Sequence, residues 1–408
     1  MSGTLMSSPL TGFRVLDFTR ILAGPYCTML LGDLGAEILK IERPGSGDDT
    51  RLWKPPEVNG ESCYFLCVNR NKKSVAIDLK HPRGVQLAKE LALKSDVLVE
   101  NFLPGAMDRM GLGYDELKRF HPRLIYCSIT GYGPTGPYSR RGGYDVIAAA
   151  IGGLLHITGP EDGDPCKPGV AMTDIATGLY AHGAILAALL HRQLLKDPQG
   201  QKIECNLLST QIASLINIGS NYLNAGVDGK RWGTAHESIV PYQAFRTADG
   251  ESLVIGGAND AQFKELCKRI SRTDLSDLEE FRTNAQRVKN RHRLIADLQE
   301  TFQKKPLAEW LRVFEGSTMP YGPVNRMKGV FQDPQVQHNR LVRNMKHRKA
   351  GDIKVVGPAV SFGGCANNVQ SPPPMLGEHT RSVLKEVLGI YDDDVDELQK
   401  ENAIACID

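Results

Sequence analysis

The sequence predicts an α/β fold: a discontinuous large domain with a mainly parallel, Rossmann-like sheet, plus a smaller α+β domain. Three observations carry this. Short apolar runs alternate with helical stretches from Arg14 to Ser128. A long Ala/Leu-rich helical stretch follows, closed by the breaker Lys196–Gly200. A separate strand–turn–strand pattern then opens beyond Gly229. Strands alternating with helices imply parallel pairing with helices on both faces.

Taken in order, Arg14–Phe18 reads as a buried strand, and Tyr26–Leu34 as a helix stopped by Gly35. Glu37–Glu42 is the second expected strand and Val75–Leu79 the third. A helix opens at Pro82, where proline suits the first helical position, and runs through Leu93. Asp96–Glu100 and Leu124–Ser128 are two further strands. Thr173–Leu195 reads as one buried helix capped by Thr173, followed by a strand at Lys202–Asn206 and a helix at Leu207–Asn224. Tyr242–Arg246 and Ser252–Gly256 form a hairpin through Ala248-Asp249-Gly250, and helices follow at Arg291–Gln303 and Leu307–Glu315. The expected domains are 10–198 (large, first part), 199–228 (linker strand and helix), 229–325 (small) and 326–408 (return and completion of the large domain).

Bulk chemistry narrows the function. The net charge of +2 lacks the basic excess of a nucleic-acid binder. The 9 cysteines are scattered, without paired CxxC spacing, which argues against a disulfide framework or a zinc site. No metal is expected. The apolar stretches at 146–157 and 181–190 are too short for a membrane span. The opening MSGTLMSSPL is polar and lacks arginine, so no mitochondrial presequence is expected in it.

Gly131-Tyr132-Gly133-Pro134-Thr135-Gly136 matches GxGxxG after a strand. Pro134 and Pro137 block the helix whose N–H groups would hold a pyrophosphate, so the segment reads as a turn and a dinucleotide fold is rejected. Basic residues are a better sign. Arg43, Lys72, Lys73, Arg109, Arg140 and Arg141 gather near strand ends, where open α/β sheets bind ligands, and together suit a phosphate-rich molecule. Asp174 stands in the first turn of the long helix, where the dipole favours an ionised carboxylate. Such a group is a candidate nucleophile, although a helix-capping aspartate has the same local sequence.

These motifs resemble the class III coenzyme A transferases. Leu16-Asp17-Phe18-Thr19 with Ala23-Gly24-Pro25 resembles the family's opening, as do Leu34-Gly35-Ala36-Glu37, Lys40-Ile41-Glu42-Arg43-Pro44-Gly45 and Asn71-Lys72-Lys73-Ser74. Asn101-Phe102 with Pro104-Gly105, Arg109-Met110-Gly111, Gly143-Tyr144-Asp145 and Asp174…Gly178 follow in the family's order. Pro241-Tyr242, Gly322-Pro323-Val324-Asn325 and Leu376-Gly377-Glu378-His379-Thr380 complete the set, from about residue 10 to 395.

The resemblance implies an interlocked homodimer and a reaction in which Asp174 carries an aspartyl anhydride and thioester. It implies CoA contacts at Leu22, Ala23, Arg43, Ile77, Asp78, Leu79, Lys80, Asn101, Phe102, Arg109, Arg141, Tyr144 and Asp145. Relatives carry glutamine where Leu22 stands. Trp53, Tyr64 and Tyr144 match aromatic residues that wall the acyl pocket. CoA is expected as substrate, with no other cofactor. Within the family the resemblance implies succinyl-CoA as donor, a dicarboxylic acid (glutarate, hydroxymethylglutarate or similar) as acceptor, and the mitochondrial matrix as location. Backbone N–H groups must stabilise the oxyanion, and Gly256-Gly257 is the expected supplier. Arg20, then Arg231 and His236, are expected to hold the acceptor's distal carboxylate. Two rivals remain. An α-methylacyl-CoA racemase would need a histidine base where Tyr144 stands. A non-catalytic acyl-CoA binder would not need Asp174.

Overall fold

The computed structural model describes residues 7–407, so part of the leader reading falls outside the described residues. The chain divides into two compact units. The first takes the chain to Leu154, then Pro168–Leu223, then Asn339 onward; the second holds Leu155–Lys167 and Asn224–His338. The strands in chain order are β1 (Arg14–Asp17), β2 (Glu37–Glu42), the short pair β3 (Glu57–Val58) and β4 (Glu61–Ser62), β5 (Lys72–Ile77), β6 (Val97–Glu100), β7 (Ile125–Thr130) and β8 (Lys202–Asn206). Beyond them come β9 (Tyr242–Arg246), β10 (Ser252–Gly256), β11 (Tyr321–Pro323), β12 (Val342–His347), β13 (Gly351–Val356) and β14 (Ile404–Ala405).

The first unit is built on a 7-stranded sheet of order β14-β5-β2-β1-β6-β7-β8. All pairs are parallel except β14 on β5. Strand residues alternate between two cores, as the two-residue repeat of a strand requires. Leu16, Leu39, Val75 and Leu98 face one core with the Pro82–Leu93 helix. Val15, Ile38, Val97, Val99 and Ile125 face the other with helices Ala23–Asp33 and Met172–Leu194. Helices therefore cover both faces. The Met172–Leu194 helix is long and apolar enough to cross a membrane, but its Ala181, Ile185, Ala188 and Leu189 are buried in the second of these cores.

The second unit carries the 3-stranded antiparallel sheet β11-β10-β9 and packs its helices around Phe245, Phe302, Trp310 and Phe314.

Four expectations differ from the structure. The third strand starts at Lys72 and ends at Ile77, because the Lys72 ammonium is buried against Asp17 rather than solvated before the strand. The helix expected over Leu207–Asn224 is two helices, Leu207–Ala213 and Ile216–Ala225, separated where Ile216 takes φ +47°. Residues 199–223, expected as linker, sit in the first unit because β8 completes the parallel sheet against β7. Residues Leu155–Lys167 join the second unit, tied by Gly233 N–H to Gly159 O (2.9 Å) and by His156 Nε2 to Gly229 O (3.0 Å).

Candidate active site

The strand order puts β1 beside β6, and the chain leaves their C-terminal ends in opposite directions. A crevice must open at such a switch point. It does: a cavity of about 430 Å³ is lined by Arg20–Ala23 after β1, Asn101–Pro104 after β6, the end of β7, Arg141–Tyr144 and Asp174. A neighbouring cavity of about 270 Å³ lies over the ends of β1, β2 and β5, lined by Arg43, Asp48, Ile77, Asp78, Leu79 and Lys80. Arg20 and Phe102 border both. Most residues expected to touch CoA therefore fall on two adjoining cavities of one unit.

Asp174 lies in the first turn of Met172–Leu194, but Thr173 does not cap the helix as expected. The Thr173 hydroxyl is turned to Gln211 Oε1 (2.7 Å). The cap comes from Asp145, whose Oδ1 accepts the N–H of Thr173 (2.8 Å) and of Asp174 (3.1 Å). Asp145 is thus not a cavity-lining residue but the anchor of the Asp174 turn. Gly178, one turn on, touches the neighbouring helix: a Cβ there would sit 2.7 Å from Ala23 O. The Asp174…Gly178 spacing holds the carboxylate and the Ala23 wall close together.

The electrostatics of Asp174 also correct the expectation. The helix dipole does not prevail. Asp174 is 9 % exposed, and no described lysine or arginine pairs with it. Burial first, and the Asp145 charge second, push its carboxyl up to about 7. At neutral pH it is poised between forms, poorly solvated and reactive when ionised.

Other expected residues divide by location. Tyr144 lines the main cavity and is exposed. Trp53 and Tyr64 meet edge to face, centroids 5.0 Å apart, on an open shelf with Pro55, Pro56 and Cys67. Burial and then the Asp174 charge push the Tyr64 phenol up to about 12, so the two side chains feel each other. Arg109 and Arg141 line the main cavity. Arg20 does too, but it is already paired with Asp49 at 2.9 Å and half-exposed. Gly131 and Gly143 are needed for packing: a Cβ on Gly131 would lie 2.8 Å from the Gly143 Cα.

Arg231, His236, Gly256 and Gly257 belong to the second unit. Arg231 Nη1 donates to His156 O (3.0 Å), and the His236 ring stacks on Tyr242 with centroids 5.6 Å apart. Gly256-Gly257 is not the free oxyanion donor pair expected. Gly256 N–H donates to Pro320 O (2.9 Å) and Gly257 N–H to Pro241 O (2.8 Å), so both are consumed within the unit. Among the described residues no group of three or more His, Cys, Asp or Glu is arranged to hold a metal ion.

Sequence reasoning missed Lys40, Asp48 and Ile21. Lys40 and Asp48 form a wholly buried ion pair at 2.9 Å, beside the loop after β1. The signal was a lysine inside the apolar run Glu37-Ile38-Leu39-Lys40-Ile41, since a charge in a buried strand demands a partner.

A switch-point cavity with a buried carboxylate and basic residues along its lining suits acyl transfer from a phosphate-bearing carrier. The chain belongs to CoA-transferase family III, whose signature it matches over residues 10–380. It is 57 % identical over 380 residues to succinyl-CoA:glutarate CoA-transferase of Mus musculus, covering 93 % of this chain and 86 % of that protein. It is 39 % identical to succinate–glutarate CoA-transferase of Agrobacterium fabrum, covering 93 % of this chain and 96 % of that protein. Among solved structures, a CAIB/BAIF family protein from Brucella suis superposes with a TM-score of 0.84 at 38 % identity, covering 94 % of this chain and all of that one.

Proposed function

We propose that this chain moves CoA from succinyl-CoA to glutarate through a covalent intermediate on Asp174. The observation that carries the reading is the Asp174 carboxylate, buried, without a cationic partner among the described residues and lining the switch-point cavity. The relatives named above supply the donor and acceptor.

The ionised Asp174 attacks the succinyl thioester carbonyl. A C–O bond forms, the C–S bond breaks, and CoA leaves as thiolate. The thiolate attacks the aspartyl carbonyl of this mixed anhydride and releases succinate, leaving an aspartyl-CoA thioester. Glutarate attacks that thioester, and CoA leaves again. The thiolate then attacks the glutaryl carbonyl, giving glutaryl-CoA and restoring Asp174. Acyl activation is conserved throughout, so no ATP enters. The two cavities suit CoA: Arg43 and Lys80 border the smaller, Arg109 and Arg141 the larger. With Gly256-Gly257 engaged, the oxyanion is assigned to the N–H groups of Ala23 and Gly24, which open the Ala23–Asp33 helix and have no intrahelical acceptor; Pro25 has no N–H and Tyr26 N–H already donates to Leu22 O.

Arg20 remains the proposed partner of the distal carboxylate, exchanging Asp49 for the acid. The functional unit is an interlocked homodimer in this reading. It is supported by the Ile216–Ala225 helix, none of whose residues is buried and which exposes Ile216, Tyr222 and Leu223. Light scattering should give twice the 44.8 kDa chain mass on dilution, and a species at the chain mass would contradict it. The matrix location rests on the resemblance, and fractionation of a tagged full-length protein tests it. The activity is tested by mixing purified protein and succinyl-CoA with a panel of acids. Mass spectrometry should find glutaryl-CoA; its absence, with other acyl-CoA species formed, would reassign the acceptor.

A further inference from the structure

Ile21 holds an unusual backbone conformation beside Asp174. Its φ is +73°, a left-handed value that a β-branched side chain resists. The residue lies in the loop between β1 and the Ala23–Asp33 helix, and Ile21, Leu22 and Ala23 line the cavity together with Asp174. Something must hold it there, because isoleucine would leave this region if released.

The restraint is a set of buried charges. Asp48 Oδ1 accepts the Ile21 N–H at 3.1 Å. Asp48 Oδ2 pairs with Lys40 Nζ at 2.9 Å, and that ammonium also donates to Thr19 O at 2.8 Å. Lys40 and Asp48 have no exposed side-chain surface. Asp48 is itself fixed by Thr50, whose N–H and hydroxyl donate to Oδ1 at 3.0 and 2.8 Å. On the other side, Asn101 brackets Arg20: Oδ1 accepts Arg20 N–H at 3.0 Å and Nδ2 donates to Arg20 O at 2.8 Å. Thr19 N–H donates to Asp17 Oδ1 at 2.8 Å. Every residue from Thr19 to Ile21 is therefore gripped through its backbone. Asp48 borders the smaller cavity and Arg20 and Asn101 the larger, and none of these hydrogen bonds is made to the Asp174 carboxylate.

We propose that Asp48, clamped by Lys40, is a positioning residue for CoA transfer: it holds Ile21 left-handed and thereby sets the Leu22–Ala23 wall against the carbonyl that Asp174 attacks. This rests on the function proposed above. Asp48 acts on the transition state through the wall, so its loss lowers kcat and leaves KM for glutarate nearly unchanged; because Asp48 also borders the smaller cavity, KM for succinyl-CoA is not a criterion.

The isosteric Asp48→Asn keeps an acceptor but strips Lys40 of its partner. It should lower kcat at least about tenfold, with KM for glutarate moving less than about threefold. Ile21→Gly in that background should recover at least about threefold in kcat, because glycine tolerates left-handed φ, yet should not recover Tm, because Lys40 stays unpaired. A merely structural pair would move kcat and Tm together. Ile21→Pro, which forbids positive φ and removes the N–H, should lower kcat more than about a hundredfold in a folded protein. Amide exchange of residues 20–24, read without any substrate, should accelerate at least about tenfold in Asp48→Asn. Wild type inactive with succinyl-CoA and glutarate would sink the function reading alone, and the exchange result would still decide the proposal. Retained kcat in Ile21→Pro, a kcat loss that glycine does not relieve, or unchanged exchange at 20–24 would overturn it. Should Asp48→Asn not fold, the Ile21→Pro result decides.

Discussion

The two units hold themselves together by different means. Under the strand ends of the first unit the interior is ionic. Asp17, Lys40, Asp48 and Lys72 have no exposed side-chain surface. The second unit is aromatic. Phe302 sits 4.8 Å from Phe245 and 5.0 Å from Trp310, centroid to centroid. Its one fully buried large cation, Arg287, donates to Val240 O, Phe281 O and Asp260. Aromatic burial stabilises without specifying much direction. Paired buried charges contribute little net stability but fix geometry, because each partner demands the other. The ionic interior lies where loops must be held at a reaction site.

The largest effect should come from the site itself. Asp174→Ala should lower transfer more than about a thousandfold with the circular dichroism spectrum retained, since a covalent nucleophile has no substitute. Smaller residual loss would mean that Asp174 only binds.

The next pair of variants tests the comparison directly. Lys72→Met strands the buried Asp17, whose carboxyl is held below its ordinary value chiefly by Lys72 against the opposing effect of burial. Phe302→Ala opens a cavity in the aromatic core. Both should destabilise by about 3–5 kcal/mol in denaturant titrations. Only Lys72→Met should also lower kcat at a temperature where both remain folded. Equal kcat losses would remove the distinction between the two interiors.

The pH dependence gives a sharper reading. The Asp174 carboxyl is raised from 3.8 to about 7, so kcat/KM should rise as pH increases through about 7. The stability sign is opposite. Ionised Asp174 is penalised only in the folded state, a burden absent below pH 3.8 and complete above about 7. Asp174→Asn should therefore raise Tm at pH 8 and hardly change it at pH 4. An activity limb near pH 4 would contradict the raised carboxyl of Asp174.

Smaller still, Arg20→Met should raise KM for glutarate about tenfold and for a monocarboxylate of equal length much less. Equal changes would move the distal-carboxylate site elsewhere. Arg83, exposed and paired with Glu397 and Glu401, should tolerate alanine with no measurable change in Tm or kcat.

Much of this was legible in the residues. The buried strand Glu37–Glu42 and the edge strand Lys202–Asn206 both lie between clear breakers, and their bounds match the sequence reading. Pro82 marks its helix start for a local steric reason. Asp174 was identifiable by its place in a first turn. What stayed hidden depends on residues far apart in the chain. Asp145 caps a helix 28 residues away, and no local pattern announces that. The raised carboxyl of Asp174 comes from burial, which a first-turn position does not reveal. The Gly256-Gly257 pair looked free because its acceptors, Pro320 O and Pro241 O, belong to other segments. Ile21 gives no sequence sign of φ +73°, since isoleucine is among the residues least expected there.

The covalent role of Asp174 has one most direct measurement. The protein is incubated with succinyl-CoA, treated with hydroxylamine, digested and read by mass spectrometry. The account predicts a hydroxamate on Asp174, formed only when acyl-CoA is present and absent from Asp174→Asn. An unmodified Asp174 peptide in a sample that is turning over, or a hydroxamate on another carboxylate, would contradict it.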